Sequence, residues 1–136
     1  MNGRENGEVK IAVEADIAVA RRAIREVAVQ IGFGPTEVAR IVTAASELSR
    51  NVHKYAGSGV MQWHAIENGS HGGLELCFED QGPGIADVNE ALREGFTTGG
   101  GLGMGLPGAK RLMDEMEIQS APGHGTKVVV RKWRRQ

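Results

Sequence analysis

Glu47, Asn51 and Lys54 stand four and then three residues apart, and at about 100° per residue that spacing sets all three in one narrow helical stripe. A carboxylate there can accept a proton, an amide oxygen can hold a metal ion, and an ammonium can lie beside a phosphate. A solvated helix face with an i,i+4 polar pair has the same spacing, so the three alone do not choose. Asp80-Gln81-Gly82-Pro83-Gly84 offers a second carboxylate at the end of an alternating run, with glycines that let a ligand approach the backbone. A plain tight turn has the same composition. A third segment, Gly99-Gly100-Gly101-Leu102-Gly103-Met104-Gly105-Leu106-Pro107, presents unhindered N–H groups ahead of a helix, which suits phosphate. A flexible loop is the alternative.

Several other chemistries are excluded. Gly103-Met104-Gly105-Leu106-Pro107-Gly108 matches G-x-G-x-x-G, but no buried strand precedes it and no acidic residue closes a following strand at the dinucleotide spacing. No G-K-[ST] string is present, so a Walker-type loop is absent. His53, His64, His71, His124 and Cys77 show no zinc-ligand spacing.

The elements that must position these residues can be read from periodicity. Val9, Ile11 and Val13 alternate with polar neighbours and predict a strand at 8–14. Asp16 is a suitable N-cap for a helix with Ile17, Ala20, Ile24, Val27 and Ile31 on one face, ending at Gly32. A second helix opens at Pro35-Thr36-Glu37, carries Val38, Ile41, Val42, Ala45, Leu48 and Val52, and ends near Gly57. Alternation through Met61, Trp63 and Ala65, and again through Leu74, Leu76 and Phe78, predicts a hairpin with its loop at 68–73. A short helix at 87–93 follows, then the glycine loop. A third substantial helix runs from Leu106-Pro107 to about Glu115, with strands at 116–121 and 126–133 around Pro122-Gly123-His124-Gly125. The order β-α-α-β-β-α-β-β lacks the regular alternation of a doubly wound sheet and fits a two-layer α/β sandwich, helices on one face of a mixed sheet.

Length and composition agree with one soluble domain over residues 1–136, its core at about 8–134. The chain has 136 residues and a net charge of −1, and no run approaches the roughly 18 apolar residues of a membrane span. The single cysteine excludes an intrachain disulfide. With no basic and apolar leader at the start, the expected compartment is the cytosol. Glycine contributes 20 of 136 residues, about twice the usual ~7%, and the excess is concentrated between Gly95 and Gly108. Arg131, Lys132, Arg134 and Arg135 around Trp133, with Arg21, Arg22 and Arg25 on the first helix, are the only features that favour nucleic acid. The overall charge and the lack of a reading module weigh against it, and neither DNA, RNA nor membrane is expected as a partner.

In combination, Glu47-x-x-x-Asn51, Asp80-x-Gly82-x-Gly84, Gly101-x-Gly103-x-Gly105 and Gly125-Thr126 resemble the nucleotide-binding boxes of the GHKL ATPase and kinase superfamily, over nearly the whole chain. The resemblance implies the Bergerat fold, a two-layer sandwich with a mixed, mostly antiparallel sheet. It also implies ATP and Mg2+ as cofactors. By the same resemblance Glu47 is the general base and Asn51 the magnesium ligand. Asp80 binds the adenine amino group, Gly82 belongs to the same box, Gly84 lets the base approach, and Gly101, Gly103 and Gly105 line the phosphates. Thr126 joins the adenine-side network. Lys54, seven residues after Glu47 and on its stripe, is expected as a further phosphate contact, with Arg50 a secondary candidate.

A sensor histidine kinase needs a dimerising helical hairpin, and gyrase-type ATPases need transducer domains; neither is expected in 136 residues. Ser46-Glu47-Leu48-Ser49-Arg50-Asn51, Glu79-Asp80-Gln81-Gly82-Pro83-Gly84-Ile85 and the run from Gly95 to Glu115 look like the small switch serine/threonine kinases of bacterial stressosome partner switching. Anti-sigma factor kinases, the near relatives, usually carry a longer and more charged lid than the stretch from Ile85 to Gly100. The resemblance implies STAS-domain antagonist and scaffold proteins as substrates and a downstream regulator such as a PP2C-type phosphatase. An anti-sigma kinase and a catalytically idle ATP-binding adaptor are the alternatives.

Overall fold

In the computed structural model, which describes residues 6–85 and 105–135, the first alternating run forms strand β1 (Asn6–Ile11). It stops short of the expected 8–14. The Asp16 carboxylate accepts hydrogen bonds from the N–H groups of Ala12 (2.9 Å) and Val13 (3.1 Å), which turn the chain out of the strand and leave Val13 57% exposed. Those bonds also displace Asp16 from the N-cap position. Helix α1 (Ala15–Ile31) is preceded by Glu14, whose side chain makes no capping bond, and Asp16 lies inside the first turn with its carboxylate reaching backwards. Donation from Ala12 N–H, then Val13 N–H, holds the Asp16 carboxyl below the usual carboxylate range.

Helix α1 buries Ile17, Ala20, Ile24 and Val27, and helix α2 (Pro35–Asn51) buries Val38, Ile41, Val42, Ala45 and Leu48, as their spacing requires. Helix α2 passes into a π-helical turn, Val52–Ala56, before ending at Gly57. Strands β2 (Gly59–Asn68) and β3 (His71–Asp80) form a long antiparallel hairpin. Its turn is only Gly69-Ser70, tighter than the expected loop. Helix α3 (Leu106–Leu112) starts where Pro107 allows and stops before the expected Glu115, because Met113 is extended and Asp114 N–H already donates to Arg131 C=O (2.9 Å). Strands β4 (Glu115–Ser120) and β5 (Thr126–Trp133) complete the chain. The short helix expected at 87–93 lies outside the described residues.

The sheet order is β1-β2-β3-β5-β4, and all four pairings are antiparallel. The sheet expected as mixed and mostly antiparallel thus has no parallel pair among the described residues. Met61, Leu74, Leu76, Phe78, Val128 and Val130 share one face through the period-two alternation. They form a single buried cluster with Ile24 and Val27 of α1, Ile41 and Leu48 of α2, and Leu106 of α3. The helices therefore cover one face of the sheet.

Three residues of the basic C-terminal run, Arg131, Lys132 and Arg135, are engaged internally. On the outer face Arg131 donates to Glu75 (2.8 Å), Glu115 (3.1 Å) and Glu117 (2.7 Å), and these carboxylates, Glu117 foremost, raise its pKa further. On the inner face Lys132 is 5% exposed; its Nζ donates to Leu112 C=O at 2.8 Å and lies 2.9 Å from Glu37 Oε1. Arg135 pairs with Asp114 (2.9 Å). Arg131, Lys132 and Arg135 are thus each paired with carboxylates of the protein itself.

Candidate functional site

At one end of the sheet, β3 and β5 deliver Asp80 and Thr126 as register partners. Both line a cleft of about 470 Å³, its open mouth included, between this sheet end and the C-terminal part of α2. Asn51 lines it from α2, Val52 and Tyr55 from the π-helical turn, and Gly84 and Ile85 from the chain leaving β3. Phe78, Val128 and Leu106 supply apolar walls. An apolar slot with a few polar groups at one end suits a flat heterocycle with a polar edge.

The polar end is built from two short networks. Asp80 Oδ1 accepts from Gly82 N–H at 2.9 Å, which orients the carboxylate and leaves Oδ2 for a ligand. Ser120 Oγ donates to Gly125 C=O (2.9 Å), accepts from Ile85 N–H (2.7 Å) and lies 2.9 Å from Thr126 Oγ1. A serine hydroxyl has one hydrogen and two lone pairs. With that hydrogen directed at Gly125, Thr126 is the donor in the Ser120–Thr126 pair, and the Thr126 oxygen keeps its lone pairs for the cleft. Asp80 and Thr126 thus form an acceptor edge, matched to a ligand bearing N–H donors.

Gly84 has φ +81°, and a Cβ there would run into the Ala121 carbonyl. Pro83 C=O also accepts from Gly123 N–H (2.7 Å). The glycine is therefore demanded by the packing of this loop on the β4–β5 turn, whatever a ligand requires.

Glu47 lies outside the apolar slot, near the start of α3. A Cβ at Gly105, whose φ is +73°, would meet Glu47 Oε1 at 3.0 Å and Asn51 Nδ2 at 3.8 Å, so Glu47, Asn51 and Gly105 converge. Lys54 does not join them. It is exposed, does not line the cleft, and its ammonium lies 5.7 Å from the Tyr55 ring centroid. The seven-residue stripe from Glu47 to Lys54 presumed α-helical phase throughout, whereas the π-helical turn begins at Val52 and alters it. Gly101 and Gly103 lie outside the described residues, and Gly82 packs beside Ala56 with its N–H on Asp80.

Sequence reasoning missed Ser120 and the apolar walls Tyr55, Ile85 and Leu106. Ser120 gives no signal beyond ending a strand. Leu106 could have been found, as an apolar residue directly after the glycine run.

No group of three or more His, Cys, Asp or Glu side chains able to hold a metal occurs among the described residues, and no helix there is long and apolar enough to cross a membrane. Residues 11–132 match the model of the histidine kinase-like ATPase domain family. The chain is 48% identical to the serine/threonine-protein kinase RsbT of Bacillus subtilis over 127 residues, covering 93% of this chain and 96% of that protein. It is 34% identical to an anti-sigma F factor of Thermoanaerobacter sp. over 120 residues, covering 84% and 82% of the two chains. A crystal structure of the RsbU and RsbW domains of a Mycobacterium tuberculosis protein superimposes with a TM-score of 0.62 at 24% identity, covering 95% of this chain and a third (33%) of that one, a likeness of fold. The chain belongs to the histidine kinase-like ATPase domain family, as a serine/threonine protein kinase of the partner-switching type.

Proposed function

We propose that the chain, a single kinase domain, binds ATP in the cleft between α2 and the β3–β5 end of the sheet. From there it phosphorylates a seryl or threonyl hydroxyl of a STAS-domain antagonist or scaffold protein. The observation that carries the nucleotide reading is the acceptor edge. Adenine offers its exocyclic amino group as a donor, whereas guanine places a carbonyl oxygen there, which would face the Asp80 carboxylate. Phe78, Ile85, Leu106 and Val128 fit the rings, and Gly101, Gly103 and Gly105 line the phosphates.

The donor set also fits magnesium. This ion typically takes one or two protein oxygens and completes its shell with water and phosphate, so the Asn51 side-chain oxygen beside the cleft suffices without a carboxylate cluster. Bound there, it would neutralise phosphate charge. Phosphoryl transfer depends mainly on positioning and electrostatics. Within that scheme Glu47 takes the proton of the acceptor hydroxyl, and Asn51 and Gly105 hold the phosphate end in place. Lys54, exposed and outside the cleft, contacts phosphate only when its long side chain swings toward the mouth.

The acceptor must come within roughly 3–3.5 Å of the γ-phosphate, so the partner docks beside the mouth of the cleft. The added phosphate, of charge near −2, then faces nucleotide and Glu47 and weakens the complex. The freed kinase engages a downstream regulator such as a PP2C-type phosphatase.

The test uses the purified parent kinase and two variants of it. The parent should transfer labelled phosphate to a STAS-domain antagonist. Glu47→Ala should keep ATP and antagonist binding while losing most transfer, and Asn51→Ala should lose both magnesium-dependent affinity and transfer. Transfer at the parent rate by Glu47→Ala removes the base assignment. Equal retention of unmodified and phosphorylated antagonist defeats the switch, and retention of a sigma factor instead moves the chain to the anti-sigma group.

A further inference from the structure

We propose that Arg50 is a positioning residue for Glu47, fixing the direction in which its carboxylate faces the acceptor hydroxyl; this rests on the reading of Glu47 as general base. Arg50 Nη1 donates to Glu47 Oε2 at 3.0 Å, one turn further along α2. The other oxygen, Oε1, has different surroundings: it lies toward Gly105, where a Cβ would approach it to 3.0 Å. One end of the carboxylate is gripped by a guanidinium, and the other is presented to the glycine segment.

The last torsion of a glutamate is broad, so the carboxylate of an unrestrained Glu47 turns over a wide range of orientations. A planar guanidinium donates in fixed directions and removes that freedom. Its hydrogen bond occupies a lone pair of Oε2 alone, which leaves Oε1 to receive the proton. Arg50 does not line the apolar cleft, so its action is on the base and not on the nucleotide ring.

The ion pair is an exposed i,i+3 contact, with side chains 51% and 41% exposed, a class that contributes little to stability. Replacing Arg50 therefore leaves the fold in place, and a change in transfer reports on the base.

The experiment compares the parent, Arg50→Ala, Arg50→Lys, Glu47→Ala and the double variant. ATP affinity is measured by calorimetry, and kcat and KM by labelled-phosphate transfer to a STAS-domain antagonist. Magnesium-dependent ATP hydrolysis, with water in place of the acceptor hydroxyl, is a second readout. Arg50→Ala should lower kcat roughly two- to five-fold, a small part of the about 10²–10⁴-fold that a positioned base supplies, with ATP affinity and KM unchanged. Arg50→Lys, which keeps the charge without the planar fork, should recover part of the loss. Adding Arg50→Ala to Glu47→Ala should cost nothing further. The proposal is overturned if Arg50→Ala turns over at the parent kcat, if the two losses multiply, or if the defect lies in ATP affinity, which would make Arg50 a phosphate contact. If Glu47→Ala itself retains parent transfer, the base reading fails first and the role of Arg50 falls with it.

Discussion

Asp80 carries the heaviest demand in the proposed site, because one of its oxygens orients the loop through Gly82 N–H while the other is left for the ligand. Asp80→Asn can keep the loop bond through its amide oxygen but turns an NH2 group toward the adenine amine. ATP affinity should fall by about 1.5–3 kcal/mol, the usual worth of a charged hydrogen bond, in calorimetry at fixed magnesium. Unchanged affinity would take Asp80 out of the adenine site. Ser120 works at one remove. Its hydroxyl fixes the direction of the Thr126 hydrogen, so the acceptor character of the edge belongs to both residues.

At the scale of elements, two side chains decide where segments meet. Lys132 ties β5 to the end of α3 through Leu112 C=O and to the start of α2 through Glu37. Lys132→Met keeps most of the buried stem and removes the donor. The variant strands the Leu112 carbonyl and takes the counter-charge from the buried Glu37 Oε1, so the loss is at least about 1–3 kcal/mol. A lower urea midpoint with an unchanged slope is the expected result. Asp16 ties β1 to α1, and its folded carboxyl binds a proton less readily than the unfolded one. Its contribution is complete above the unfolded pKa and is lost as pH falls through the folded value, since the unfolded state there binds more protons. Asp16→Asn keeps an acceptor for Ala12 and Val13 without the charge. Its stability should decline less steeply than the parent's below about pH 5, in denaturation midpoints taken across the acid range. A parallel decline of the two proteins would show that the Asp16 bonds do not couple to protonation.

For the whole molecule, the cleft joins α2, the start of α3 and two strands, so bound nucleotide touches four elements at once. ATP with magnesium at 100 times its Kd should stabilise the folded state by about 2.7 kcal/mol. In a chain of this length that corresponds to a Tm rise on the order of 10 °C. GTP at the same concentration should raise Tm much less, and an equal rise would end the adenine reading. The open outer face of the sheet has a different character. Arg131 is shared there by Glu75, Glu115 and Glu117, and burial pushes the Cys77 thiol up, so neither the cation nor the thiol is poised for chemistry.

Local periodicity was sufficient for the element order, because Ile17 to Val27 and Val38 to Leu48 repeat at helical spacing and Leu74, Leu76 and Phe78 at strand spacing, which one buried face enforces on each element. The residue types in the four boxes were sufficient for the family. Bonds between distant parts of the chain lay beyond that reach. Asp16 reaches back to Ala12 and Val13 instead of capping α1, a choice made by how β1 leaves the sheet. The π-helical turn after Asn51 takes Lys54 off the stripe of Glu47 and faces Tyr55 into the cleft. The basic C-terminal run reads as a patch along the chain, yet alternation on β5 sends Arg131 and Lys132 to opposite faces, where carboxylates from other elements pair with both. The acceptor edge itself exists only because antiparallel pairing sets Asp80 opposite Thr126, a juxtaposition of residues forty-six positions apart that only the sheet register could decide.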